Sequence, residues 1–161
     1  MESSTDRDGR FLEIAIQLSR KGMKGGKGGP FGCIVVKGEE VVGEGCNQVT
    51  STNDPTAHAE VVAIRQACTK LNTYQLNDCE IFTSCEPCPM CLGAIYWARP
   101  KRVVYANTKQ EAASIDFDDD FIYKEINTNY QDRKIPFIHH PHPLAKAVFD
   151  EWKNWDGKQQ Y

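Results

Sequence analysis

The chain has 161 residues, 40% of them hydrophobic and 25% charged, with a formal net charge of −3 and a pI near 5.8. That length builds one domain with a real core rather than two. The acidic balance excludes the basic field that sequence-independent nucleic-acid binding needs, and no apolar run reaches the length of a membrane span.

In chain order, the polar stretch Met1 to Arg10 lacks the apolar run of a secretory signal, so a cytoplasmic protein is expected. Phe11, Ile14, Ala15 and Leu18 recur at helical spacing and predict a helix over Arg10 to Lys21, ended by the glycine-rich run Gly22 to Gly29. Cys33 to Val36 reads as a short apolar strand, Lys37 to Glu40 as a hairpin turn, and Val41-Val42 as the start of the return strand, with Asn47 near its end. Asp54-Pro55 is a helix-start signal, so the next helix is expected over Thr56 to Leu71. Cys79 to Ser84 predicts a strand, Pro87 opens a helix that stops before Pro100, and Arg102 to Tyr105 predicts another strand. Further on, the pattern predicts a helix over Gln110 to Ile115, a strand over Ile135 to Ile138, and a final helix over Leu144 to Trp155 before a polar tail. This order predicts one mixed sheet covered by helices on both faces.

Three short pieces carry chemistry: His58-Ala59-Glu60, Pro87-Cys88 and Cys91. One imidazole and a C-x-x-C pair give zinc three protein ligands. A structural zinc has four, and an open fourth position for water marks a catalytic one. Glu60 is not needed as a ligand, and a carboxylate beside such a water is a proton carrier. Both ligand pieces fall at predicted helix starts, where free N–H groups and the helix dipole favour thiolate over thiol. The competing reading is a structural clip whose fourth ligand comes from His139, His140 or His142, a segment that reads first as an exposed loop among prolines. Cys33, Cys46, Cys68 and Cys79 read as buried reduced thiols, and Cys85 as a core thiol beside the site rather than a ligand.

The H-x-E…P-C-x-x-C pattern resembles the cytidine-deaminase superfamily of zinc-dependent base deaminases. One branch is closer. Gly28 to Gly32, Asn53 to Glu60, Thr83 to Trp97 and Phe117 to Ile126 resemble bacterial guanine deaminases, and the likeness runs from about Phe11 to Tyr161. The resemblance implies a three-layer α/β/α sandwich with a mixed five-stranded sheet, cytidine deaminase-like. It implies a single deaminase domain over 1–161 and a homodimer in which residues 143–161, the C-terminal helix and tail, are swapped onto the partner subunit. It implies zinc on His58, Cys88 and Cys91, with Glu60 as the catalytic proton shuttle. It also implies a purine held by Asn47 and Asp119, contacted on its faces by Phe31 and Trp97, with Ala59 beside it and Tyr161 reaching in from the partner chain. The three consecutive aspartates leave two registers for the base-reading carboxylate, and keeping Phe117 in register selects Asp119 over Asp118.

Chemistry supports that branch separately. Guanine presents a ring N–H donor where adenine presents a bare acceptor, and an ionised carboxylate only accepts. The implied activity is hydrolytic deamination of guanine to xanthine and ammonia. The alternatives are a deaminase acting on guanosine, cytosine or tRNA adenosine, and a non-catalytic zinc-binding module. Without the resemblance, Asp118-Asp119-Asp120 reads as a solvated loop, Trp97 as core and Tyr161 as a frayed end.

Overall fold

A computed structural model describes residues 4–117 and 119–161, in two compact units, Met1–Asp119 and Asp120–Tyr161. Met1 to Ser3 and Asp118 lie outside the described residues.

The first unit is built on a four-stranded sheet. Helix α1 (Ser4–Lys24) precedes a hairpin of β1 (Gly32–Lys37) and β2 (Glu40–Cys46), followed by the short α2 (Val49–Thr52) and by α3 (Ala59–Leu71). Then come β3 (Cys79–Cys85), α4 (Pro89–Ala98), β4 (Arg102–Asn107) and α5 (Lys109–Ala113). The strand order is β2-β1-β3-β4. β1 runs antiparallel to both of its neighbours, and β3 and β4 are parallel across the α4 crossover, so the sheet is mixed as expected. The hairpin turns at Lys37 to Glu40 as predicted, with Gly38 at φ +63°, a conformation glycine adopts at no steric cost.

Alternation along the strands makes the three layers. Ile34 and Val36 of β1 and Phe82 of β3 pack with Phe11, Leu12, Ile14 and Leu18 of α1. Cys33 and Val35 of β1 and Ile81 of β3 face the other way, against Ala59, Ala63 and Ala67 of α3 and Ile95 and Ala98 of α4. The small residues of α3 let it lie very close to β2. A Cβ on Gly45 would stand 2.1 Å from the Ala59 carbonyl oxygen, so only glycine fits there.

Several expectations are corrected. The helix expected from Thr56 starts three residues later, because Asp54 closes a local turn instead of capping it. Its Oδ1 accepts from the Thr56 amide at 2.8 Å and the Thr56 hydroxyl at 2.7 Å. The helix expected from Pro87 starts at Pro89, which takes the first-turn proline position. The sheet has four strands among the described residues, not five. Ile135 to Ile138 has no ladder partner, and Pro136 within it lacks the N–H a ladder would use.

The second unit contains α6 (Asp120–Ile126), a 3₁₀ turn at Tyr130–Asp132 and α7 (Pro143–Asn154). Arg133 sits over the Tyr130 and Phe137 rings and donates to the Thr128 and Ile126 carbonyls. Leu144, Val148, Phe149 and Trp152 of α7 are exposed within this unit, as are Trp155 and Tyr161 beyond it.

Candidate metal centre

Two helix starts and one strand end build the site. His58 is the residue that caps α3, Ala59 opens the helix and Glu60 follows. Cys88 caps α4 in the same way, and Cys91 sits in its first turn. Neither His58 nor Cys88 makes a side-chain capping bond. β3 delivers the chain to Cys85, three residues before Cys88.

Ligand atoms of His58, Cys88 and Cys91 lie within 4.8 Å of one another, and no fourth histidine, cysteine or carboxylate completes the group among the described residues. His58 Nδ1 stands 3.5 Å from Cys88 Sγ and 3.6 Å from Cys91 Sγ. Around a tetrahedral zinc, with bonds of about 2.3 Å to sulfur and about 2.05 Å to nitrogen, a nitrogen and a sulfur ligand stand about 3.6 Å apart. The donor set and its spacing therefore fit zinc and identify Nδ1 as the ligating nitrogen.

The thiols are already differentiated. Contact with the Cys91 side chain, aided by His58 against the cost of burial, pulls the Cys88 thiol well down, to about 4. The same contact, together with burial and the Glu60 charge, pushes Cys91 up. The bond with Cys88 raises His58 against the effect of burial, and the charges of Cys88, Glu60 and Asp119 raise it further.

Glu60 is 6% exposed. Burial pushes its carboxyl up, opposed by its own backbone N–H, Cys91 and Thr83. Oε2 accepts from Cys91 Sγ at 3.3 Å and Oε1 from the Thr83 hydroxyl at 3.2 Å. The Glu60 carboxyl therefore has one oxygen toward Cys91 and one toward Thr83 of the sheet.

Asn47, at the end of β2, is buried, and its Oδ1 accepts from the Gly29 amide at 3.3 Å and the Val49 amide at 3.2 Å. Two N–H groups fix the amide orientation, leaving the Nδ2 hydrogens as the group Asn47 can offer. Phe31 meets Phe117 edge-on, with centroids 4.8 Å apart. Asp119 is half-buried, and its charge acts on His58 and on Cys85. The alternative register, Asp118, falls outside the described residues. Cys85 is a buried thiol as expected. Burial and then the Glu60 charge push it up to about 11, and its Sγ faces the Thr108 carbonyl at 3.6 Å. Ala59, between His58 and Glu60 in the chain, is fully buried.

Trp97 is not brought to the ligand end of its helix. It is 62% exposed in the last turn of α4, about 9 Å along the axis from Cys91. Tyr161 belongs to the second unit and is exposed there. His139, His140 and His142 are exposed, and His142 Nδ1 caps α7 by accepting from the Leu144 amide at 3.2 Å. Sequence reasoning missed Thr83 and Gly45. The signal for Thr83 was available: a hydroxyl in the otherwise apolar row of Cys79, Ile81 and Cys85 on β3 needs a buried partner.

Residues 5–107 match the family model described as cytidine and deoxycytidylate deaminase zinc-binding region. The chain is 53% identical over 151 residues to the guanine deaminase of Bacillus subtilis, covering 94% of this chain and 97% of that protein. A crystal structure of guanine deaminase from Bacillus subtilis superposes with a TM-score of 0.93 at 52% identity, covering 95% of this chain and 98% of that one. A tRNA-specific adenosine deaminase of Buchnera aphidicola is 32% identical over 152 residues, 93% of this chain and 97% of that protein. With the zinc ligand set, the adjacent buried carboxyl and the helix-covered mixed sheet all in place, the chain belongs to the cytidine and deoxycytidylate deaminase zinc-binding family.

Proposed function

We propose that the protein hydrolyses guanine to xanthine and ammonia. The observation that carries the choice of substrate is the 53% identity to a guanine deaminase over nearly the whole chain, against 32% to a tRNA adenosine deaminase over a similar length. Zinc, held by His58, Cys88 and Cys91, supplies a Lewis acid that lets water act as a nucleophile at neutral pH. Glu60 would take the first water proton at Oε2, the oxygen nearer the ligands, and deliver it to a ring nitrogen, then carry the second, from the newly added hydroxyl, to the leaving amine. Water supplies the new oxygen of xanthine, the hydrogen on its ring nitrogen and the third hydrogen of ammonia.

Asp119 accepts from the ring N–H edge of guanine and opposes the bare acceptor of adenine. Asn47, its oxygen already engaged, donates from Nδ2 to a purine acceptor. Phe31, braced by Phe117, and Ala59 line the base. Trp97 is read as the contact on the other purine face.

We read residues 1–161 as one deaminase domain working as a homodimer, with 143–161 crossing to the partner and Tyr161 closing the partner's pocket. The row of exposed apolar side chains on α7 supports this, since it needs a cover that a second copy provides. Seven unpaired cysteines suit the reducing cytoplasm.

The test is ammonia release by zinc-loaded protein offered guanine, guanosine, adenine, cytosine and a tRNA adenosine stem-loop separately. Guanine alone should turn over. Preferred guanosine would mean that the tail leaves the ribose side open. Activity on RNA alone would make Asp119 a surface acid.

A further inference from the structure

Thr83 lies on β3, an inner strand of the sheet, paired with Cys33 of β1 on one side and Tyr105 of β4 on the other. It is 1% exposed. Cys79 and Ile81, at the same parity along the strand, belong to the apolar core beneath α3 and α4. A hydroxyl in that row is costly unless it is bonded. Two acceptors are in reach: Glu60 Oε1 at 3.2 Å and the Gly32 carbonyl oxygen at 3.4 Å. The hydroxyl has one hydrogen to donate, and the Glu60 oxygen is the nearer of the two acceptors.

The geometry sorts the two carboxylate oxygens. Oε1 is held toward the sheet, and Oε2 is left toward Cys91. Threonine is stiff at χ1, and its backbone is pinned by a strand on each side. The hydroxyl therefore takes its position from the sheet, while the side chain it grips comes from α3.

We propose that Thr83 is a positioning residue whose hydroxyl fixes the rotation of the Glu60 carboxyl so that only Oε2 faces the metal ligands. This rests on the deaminase reading above and names a residue that the H-x-E…P-C-x-x-C pattern does not include. It differs from a purely structural role, in which the hydroxyl serves the Gly32 carbonyl and Glu60 is indifferent to it.

The variants are Thr83→Val, which keeps the shape and removes the donor, and Thr83→Ser, which keeps the donor and removes the methyl group. In zinc-loaded protein carrying ¹³C-labelled glutamate, the Glu60 carboxyl resonance is assigned by its loss in Glu60→Gln. It should move in Thr83→Val and return in Thr83→Ser. With guanine, Thr83→Val should lose about 10- to 100-fold in kcat with KM within about twofold and zinc content unchanged, and Thr83→Ser should recover most of the loss. A resonance and a kcat that stay at the parent values in Thr83→Val overturn the proposal. So does a Thr83→Ser as impaired as Thr83→Val, which would make the methyl group the essential part. If Thr83→Val does not fold, Thr83→Cys, of similar size with a weak donor, should fall between serine and the lost state. If the parent protein releases no ammonia from any base, the substrate reading fails, and the resonance alone still decides whether Thr83 holds Glu60.

Discussion

Gly45→Ala asks whether the site depends on how closely α3 lies on β2. A methyl group at residue 45 would stand 2.1 Å from the Ala59 carbonyl oxygen and 2.7 Å from the Ala63 amide nitrogen. Both are backbone atoms of α3, so no side chain can swing aside. Ordinary contact begins at 3.4 Å, so the oxygen must retreat by about 1.3 Å. That oxygen belongs to the peptide joining Ala59 to Glu60, one residue from the ligand His58. Cys88 and Cys91 are carried by the end of β3 and the start of α4, which the new methyl does not push. The histidine and the proton carrier would therefore move relative to the two sulfurs. A misplacement of about 1 Å costs about 10²-fold in rate, and overpacking costs about 1–3 kcal/mol of stability. Gly45→Ala should lose at least about 100-fold in kcat and give up zinc faster to a chelator, with helix content retained. Gly38→Ala is the matched control. Nothing lies within 4 Å of its Cβ, and its φ of +63° costs roughly 1–2 kcal/mol locally, so stability should drop while activity holds. The assay is ammonia release beside zinc content and a thermal melt for each protein. A Gly45→Ala protein that melts early yet keeps its zinc and works within threefold of the parent would refute the argument.

Zinc removal by a chelator should abolish turnover and lower the melting temperature, and added zinc should restore both; a metal-free protein that still releases ammonia would contradict the ligand assignment. Asp119→Asn should cut kcat/KM for guanine by about 10- to 100-fold, the worth of one hydrogen bond to a charged group, and steady-state kinetics on guanine measures it. Arg102 donates to Asp8 at 2.7 and 2.8 Å and to Glu80 at 2.9 Å. Its hydrogen bond is the main cause holding Asp8 below its ordinary value; at Glu80 burial pushes up, and Arg7 and Arg102 together outweigh it. Carboxyls depressed in the folded state add stability that is full above their unfolded values, about 4, and lost as pH falls through the folded ones. Arg102→Met should therefore flatten the acid limb of the urea midpoint against pH, and a limb as steep as the parent's would count against this network. If the proposed homodimer is sealed by α7, Phe149→Asp should lower the mass from dimer to monomer by light scattering, and an unchanged dimer mass would remove α7 from that interface.

The metal ligands were legible in the sequence because each lies within three residues of another functional group, and short spacings survive errors in helix boundaries. The boundaries themselves were less legible. Asp54-Pro55 carries the composition of a helix start, yet the Asp54 carboxylate is spent on Thr56, a choice between two local bonds that composition does not decide. Ile135 to Ile138 has strand-like residues, but a strand exists only with a ladder partner, and the sequence does not say which edge, if any, receives it. Thr83 and Gly45 act across the fold, through Glu60 and Ala59 respectively, so their roles depend on strand order and on the closeness of a helix. Neither is written in local spacing.

The helix caps show how the same chain treats helices with and without chemistry. α5 has a complete capping box: the Thr108 hydroxyl accepts from the Glu111 amide, and Glu111 returns the bond to the Thr108 amide. α3 and α4 have neither half of one. Their cap positions are occupied by His58 and Cys88, which make no side-chain capping bonds. A good cap contributes about 1 kcal/mol, so both helices forgo stability at the end that faces the site. What they gain is electrostatic. The positive ends of two helix dipoles converge where a histidine, two sulfurs and a carboxyl meet. A Cys88 thiolate beside a buried carboxyl is costly, and the helix ends offset part of that cost before any metal binds. Placing asparagine at 88 would supply an ordinary cap and delete a ligand in one step. Such a protein should fold with a better-capped α4 and lose its zinc, so stability measured without metal and stability measured with it would move in opposite directions.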